Sequence, residues 1–154
     1  MSETIPFLNL KEINDSYEDE LNNAARRVIN SGWFINGPEV EGFEKEFADY
    51  CGTKYCIGVG NGLDALTIIL KSFIELGKLK IGDEIVVPSN TFIATVLSVI
   101  QAGLKPLFID PSIESYNLSY QNLVNGISSS TKAIRVVHLY GQVSEFSAIK
   151  KFAD

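Results

Sequence analysis

The chain predicts an α/β fold: a mainly parallel sheet flanked by helices. Three observations predict it. Short apolar runs suited to strands alternate with longer segments of helical period from residue 55 onward, the pattern of βαβ units. The strand-like runs, such as Ile85-Val86-Val87 and residues 134–137, are mostly apolar, as expected where helices cover both faces of a sheet. Glycine, proline or a capping residue punctuates the changes of period.

The N-terminal third reads as helical. In residues 16–30, Tyr17, Leu21, Ala24, Ala25, Val28 and Ile29 share one broad face, and Gly32 suits a left-handed cap. Trp33-Phe34-Ile35 is an aromatic-rich loop or short extended piece. Pro38 can open the next helix, because its missing N–H would be unpaired there anyway. That helix covers residues 39–51, with Val40, Phe43, Phe47 and Tyr50 on its apolar side, and Gly52-Thr53 closes it.

Then the period changes. Residues 55–59 read as a strand, and residues 63–76 as a helix with Leu66, Ile69, Leu70 and Phe73 inward. A polar loop over 77–82 leads to the strand Ile85-Val86-Val87, which Pro88 ends. Residues 91–102 form an apolar helix stopped by Gly103. Residues 106–109 are a strand running into Asp110-Pro111. Ser119 caps a helix over 120–127. Residues 132–139 are the last strand, and a further helix starts at residue 144. The sheet is expected to be incomplete, since the last strand is followed only by this helix.

Composition narrows the classes. The 154 residues suffice for one domain with a real core. A net charge of -6 with scattered Lys and Arg argues against a nucleic-acid or anionic-membrane surface. Arg26-Arg27 and Lys150-Lys151 are pairs only, read as solvated helix faces. No apolar run reaches the length of a membrane span, and the polar, acidic start does not resemble a secretory signal, so a cytoplasmic protein is expected. Cys51 and Cys56 are separated by four intervening residues, far from the single histidine, His138; they read as buried free thiols rather than metal ligands.

Three segments could carry chemistry. Gly60-Asn61-Gly62-Leu63-Asp64 turns an apolar run into a helix, so the first helical amides point outward unpaired, the layout of an anion site. Asp64 in the first turn would cap that helix and complement its dipole. An ordinary strand-to-helix turn has the same composition, and the spacing matches neither a dinucleotide fingerprint nor a P-loop. Pro88-Ser89-Asn90-Thr91-Phe92 follows a strand at its C-terminal end, where ligands of open α/β sheets collect. Phe92 there either stacks on a flat cofactor ring or fills core. His138-Leu139-Tyr140-Gly141-Gln142 sits at another strand end, where a lone histidine is either structural or functional.

The order of these segments resembles the DegT family of aminotransferases, which act on nucleotide-linked sugars. The matching pieces are Ile5-Pro6-Phe7-Leu8-Asn9-Leu10, Ser31-Gly32-Trp33-Phe34-Ile35-Asn36-Gly37-Pro38-Glu39-Val40 and Gly60-Asn61-Gly62-Leu63-Asp64-Ala65-Leu66, then Val87-Pro88-Ser89-Asn90-Thr91-Phe92-Ile93-Ala94-Thr95 and Val137-His138-Leu139-Tyr140-Gly141-Gln142. The resemblance covers essentially the whole chain. Its details are most similar to the branch that aminates C3 of a dTDP-linked 3-keto-6-deoxyhexose.

The resemblance implies a type I, aspartate-aminotransferase-like fold that uses pyridoxal 5'-phosphate. Residues 1–52 would be a helical and loop segment, and residues 53–154 the first part of the cofactor-binding large domain. Gly62, Leu63 and Asp64 fall where the backbone cradles the cofactor phosphate, although many relatives carry a hydroxyl at the position of Leu63. Phe92 falls where an aromatic stacks on the pyridine ring. Trp33, Phe34 and Asn36 lie near the active site of a homodimer, and His138 borders the cofactor pocket; these four are candidates for substrate contact.

The resemblance further implies glutamate as amino donor and a dTDP-keto-sugar as acceptor, in deoxyamino-sugar synthesis for O-antigen or S-layer polysaccharide. The Schiff-base lysine is expected beyond residue 154; Lys54, Lys71, Lys105 and Lys132 match no such position. The 154 residues alone are therefore expected to be inactive. Two alternatives stay open: a truncated or split-gene fragment that binds only a partner chain, and another type I enzyme.

Overall fold

The computed structural model describes residues 5–154. Residues 1–4, the head of the expected segment 1–52, lie outside the described residues. The chain forms two compact units, Met1–Gly58 and Val59–Asp154.

The first unit is helical. Helix α1 (Leu10–Asp15) was not expected from the sequence pattern. It is short, and Asn9 caps it by accepting from the Glu12 amide at 3.3 Å while donating to the Glu12 carboxylate at 3.2 Å. Its end uses Ser16, whose amide donates to the Glu12 carbonyl, so α2 (Glu18–Ser31) begins later than residue 16. Gly32 closes α2 in the left-handed conformation expected of it, with φ 67°. Helix α3 (Pro38–Cys51) starts on Pro38. Arg27 of α2 donates to both carboxylate oxygens of Glu39 on α3, at 2.6 and 3.0 Å.

The expected apolar faces of this unit are only partly covered. Tyr17, Leu21, Ile29, Phe43, Phe47 and Tyr50 are all exposed, whereas Ala48 is buried. Phe43 and Phe47 stack on each other at 5.4 Å between centroids. The cysteines are free, as expected, but not buried. Cys51 is exposed on the last turn of α3, and Cys56 is half-buried.

Residues 55–59 do not form the expected strand. An apolar run becomes a strand only when a neighbour pairs with its backbone, and this one carries no ladder among the described residues. The Gly58 amide donates instead to the Glu44 carboxylate at 2.6 Å.

The second unit is a three-stranded parallel sheet between two helical layers. Its order is β2-β1-β3, with β1 (Glu84–Pro88) central, β2 (Lys105–Ile109) on one side and β3 (Thr131–Ile134) on the other. Alternation along β1 sends side chains to both faces. Ile85 and Val87 pack with Leu70, Leu79, Val99, Ala102 and Leu104, from α4 (Gly62–Glu75), α5 (Ile93–Gln101) and their connections. Val86 faces the other way, onto Leu118, Leu123 and Ile149, which belong to α6 (Tyr120–Gly126), α7 (Phe146–Ala153) and the approach to α6. Burial on both faces explains the apolar run in β1.

Two boundaries differ from the expected ones for identifiable reasons. Strand β3 is shorter than residues 132–139. The Arg135 amide still donates to the Val86 carbonyl at 2.9 Å, but Pro88 has no N–H with which to continue the ladder. Helix α5 begins at Ile93, because Phe92 is extended at its N-cap. On α4 the inward face includes Thr67 and Leu70, both buried, while Leu66 is half-buried and Ile69 and Phe73 are exposed. Ser119 caps α6 as expected, accepting from the Asn122 amide at 3.1 Å.

Two outcomes follow from this packing. Leu123→Ala empties a fully buried site under the central strand and should cost about 2–5 kcal/mol in denaturant unfolding. The Arg27 guanidinium, first by hydrogen bond, holds the Glu39 carboxyl below its usual range. A carboxylate depressed in the folded state contributes its stability above the unfolded pKa and loses it as pH falls through the folded one. A double-mutant cycle on Arg27→Ala and Glu39→Gln should therefore show coupling at neutral pH that fades below about pH 4.

Candidate functional site

The site begins with a capping pattern. Asn61, extended, accepts from the Asp64 amide at 3.0 Å through its side-chain oxygen, and its side-chain N–H donates to the Asp64 carboxylate at 2.9 Å. The Ala65 amide donates to the Asn61 carbonyl at 3.1 Å. The cap is thus Asn61, not Asp64 as the sequence suggested; Asp64 is the reciprocal partner three residues on. Gly60 permits this closure, since a Cβ there would stand 3.0 Å from the Asp64 carboxylate.

Two donors are left over. The amides of Gly62 and Leu63 make no hydrogen bond among the described residues. They are the first two of helix α4, where the positive end of the helix dipole lies. A Cβ at Gly62 would meet nothing within 4 Å, so the space in front of its backbone is open.

Gly62 and Leu63 themselves line an open, mostly apolar cavity of about 650 Å³, whose walls also include Leu66, Phe92, Thr95 and Leu97. Phe92 is not core. It is 76% exposed, held at the start of α5 where the chain leaves β1. The structure thus brings Gly62, Leu63 and Phe92 together at one cavity. Asp64 stands beside it without lining it, and His138 does not line it either.

His138 lies past the end of β3, in the loop that precedes a one-turn 3₁₀ helix at Leu139–Gly141. Its Nδ1 accepts from the Ser144 amide at 3.3 Å, which places the neutral ring's proton on Nε2. Phe146 meets the ring edge-on at 6.3 Å. The loop is held by Asn117, a buried residue the sequence did not single out. Asn117 accepts from the Leu139 amide at 2.9 Å and donates to the Gln142 carbonyl at 3.1 Å. Tyr140 in this loop is fully exposed and has φ 53°.

Trp33, Phe34 and Asn36 belong to the first unit. The Trp33 indole donates to the Ile35 carbonyl at 2.7 Å and lies over Gly37, where a Cβ would stand 3.3 Å from the ring. Asn36 has φ 49°, and Trp33 and Phe34 are both more than half exposed. The loop therefore presents two aromatic faces outward.

The family model of the DegT/DnrJ/EryC1/StrS aminotransferase family matches residues 15–154. The chain belongs to that family. It is 49% identical over 149 residues to a dTDP-3-amino-3,6-dideoxy-alpha-D-galactopyranose transaminase of Aneurinibacillus thermoaerophilus, covering 97% of this chain and 40% of that protein. Among solved structures, Streptomyces venezuelae DesV superposes with a TM-score of 0.89 at 38% identity, over 99% of this chain and 40% of DesV. NtdA from Bacillus subtilis, with bound cofactor PMP, superposes with a TM-score of 0.84 at 33% identity, over 99% of this chain and 34% of NtdA. The chain thus spans about 40% or less of the length of these family members, and its sheet flanked by helices is the corresponding part of their fold.

Among the described residues, no helix is long and apolar enough to cross a membrane, and no cluster of His, Cys, Asp and Glu is placed to hold a metal. The cap makes a direct prediction. Measured by chemical denaturation, Asn61→Ala should cost about 1 kcal/mol of stability, and Asn61→Asp should not escape that cost, because it would set a second carboxylate against Asp64 in place of the amide N–H.

Proposed function

We propose that the full-length protein is a pyridoxal-phosphate-dependent transaminase that moves an amino group from glutamate to a dTDP-linked 3-keto-6-deoxyhexose. The observation that carries this reading is the cavity lined by Gly62 and Leu63, whose helix-terminal amides have no hydrogen-bond partner among the described residues, and by the exposed Phe92. A phosphate needs convergent donors and favourable dipole ends, and the Gly62 and Leu63 amides offer both. A flat ring needs an aromatic platform, and Phe92 offers one. The likeness to a dTDP-sugar transaminase and to a PMP-bound structure supports the same assignment.

When bound, the cofactor supplies the carbon that carries the amino group and an electron sink for the transfer. The chain's own residues bind and orient it. Gly62 and Leu63 would offer the phosphate main-chain N–H groups only, because Leu63 has no hydroxyl, and further donors would come from elsewhere. Asp64 keeps the turn closed through Asn61 and leaves those two amides free. Phe92 would stack on the ring and shield that face from water, and Leu66 and Leu97 would form an apolar wall. None of Lys54, Lys71, Lys105 and Lys132 lines the cavity, so none is assigned the covalent bond to the cofactor.

Trp33, Phe34, Asn36 and His138 are assigned to the sugar nucleotide. Exposed aromatic faces suit stacking on a base or sugar ring, and Nε2–H of His138 is a free donor. We further infer a cytoplasmic homodimer that makes a deoxyamino sugar for a surface polysaccharide. The exposed stack of Phe43 and Phe47 supports burial against another surface.

The test is a titration of the purified full-length protein with pyridoxal 5'-phosphate, followed by glutamate and the dTDP-keto-sugar. The reading expects saturable binding, formation of 2-oxoglutarate and an aminated sugar nucleotide. Phe92→Ala should weaken cofactor binding about tenfold. Absence of cofactor binding, or binding untouched by Phe92→Ala, would refute the site.

A further inference from the structure

Arg135 is an unexpected residue to find inside this unit. It follows β3 directly, and its amide is fixed to the central strand through the Val86 carbonyl at 2.9 Å. Its side chain is half-buried under the seam between α4 and α5. Nη1 donates to the Ser98 hydroxyl at 2.5 Å and points to the Thr95 carbonyl at 3.4 Å, while Nη2 points to the Leu66 carbonyl at 3.4 Å. Ser98 is fully buried and donates its own proton to the Thr95 carbonyl at 2.8 Å, which leaves its lone pair for the guanidinium. Among the described residues no carboxylate pairs with Arg135. Burial lowers its pKa from the ordinary guanidinium value, yet a guanidinium stays protonated in a protein. A cation is thus held in place by carbonyl and hydroxyl oxygens of two helices.

The acceptors are informative. Leu66 lies one turn along α4 from Gly62, and the Thr95 amide donates to the Phe92 carbonyl at 3.0 Å. Leu66 and Thr95 are themselves in the wall of the cavity that Gly62, Leu63 and Phe92 line. The remaining contact of the two helices is mostly apolar and therefore non-directional. Among the described residues the Thr67 hydroxyl and the Gln101 side chain form a further polar tie, at 3.2 Å. A planar fork with several fixed donors sets a register that apolar packing alone does not.

We propose that Arg135 is a positioning residue for the cofactor site: its guanidinium ties α4 to α5 about one turn from their starts and so sets the spacing between the starts of the two helices, which carry the Gly62 and Leu63 amides and the Phe92 ring. The inference rests on the cofactor reading above. Arg135 touches neither phosphate nor ring and acts through the two helices.

The experiment uses the full-length protein as wild type, Arg135→Met and Arg135→Lys. Three quantities are measured: the affinity for pyridoxal 5'-phosphate, the induced circular dichroism of the bound cofactor at saturation, and the unfolding midpoint without cofactor. Arg135→Met should weaken affinity by about tenfold or more, the scale of a hydrogen bond to a charged group. Arg135→Lys keeps the charge but not the fork. It should fold with a midpoint nearer wild type, yet still lose affinity and show an altered dichroic signal. If Arg135→Met fails to fold, Arg135→Lys decides. Wild-type affinity and dichroism in the folded variants would overturn the inference and leave the cofactor reading intact. A wild-type protein that binds no pyridoxal 5'-phosphate would overturn both.

Discussion

The parallel pairing of β1 with β2 and β3 is the constraint on which the second unit depends. Parallel strands all deliver the chain to the same edge, so the segments after Pro88, Ile109 and Ile134 emerge together. The central strand must bury both faces, which is why Ile85, Val86 and Val87 are all apolar and all inaccessible. Each face then demands a helical layer. Helices α4 and α5 answer on one side and α6 and α7 on the other. Phe92 is placed by this arrangement rather than by its own preference. An exposed phenylalanine gains nothing from burial where it stands, and it is held there because the chain must leave β1 and enter α5 at that edge.

The anion-binding character proposed for the site would arise from an incomplete cap. A helix leaves its first amides unpaired, and nature's usual remedy is a side chain that takes one of them. Here Asn61 takes the Asp64 amide and its own amide group takes the Asp64 carboxylate. That closure ties the Asp64 carboxylate into the turn, while it leaves the Gly62 and Leu63 amides open. The same four residues therefore stabilise the helix start and keep its donors available.

What the sequence made legible was local. The apolar runs at 85–87 and 106–109 are strands, Ser119 caps its helix, Gly32 takes the left-handed position, and the glycine turn at 60–62 opens a helix. What it hid was set by distant partners. Residues 55–59 look like a strand, but pairing is a property of two segments. The end of β3 is dictated by Pro88 on the neighbouring strand. The hold of Asn117 on the Leu139 amide spans 22 residues, and Arg135 collects its acceptors from two helices. The exposure of Phe92 and of the cysteines likewise depends on what packs over them, which composition does not specify. Within the site, the residue types were readable, but their roles were partly exchanged: Asn61, not Asp64, caps the helix.

The central claim is that a phosphate rests on two main-chain amides without help from a hydroxyl at position 63. The most direct measurement is a crystal structure of the full-length protein grown with pyridoxal 5'-phosphate. The account predicts phosphate oxygens within about 3 Å of the Gly62 and Leu63 nitrogens, with the pyridine ring against Phe92. A phosphate bound elsewhere, with both amides left facing solvent, would contradict it.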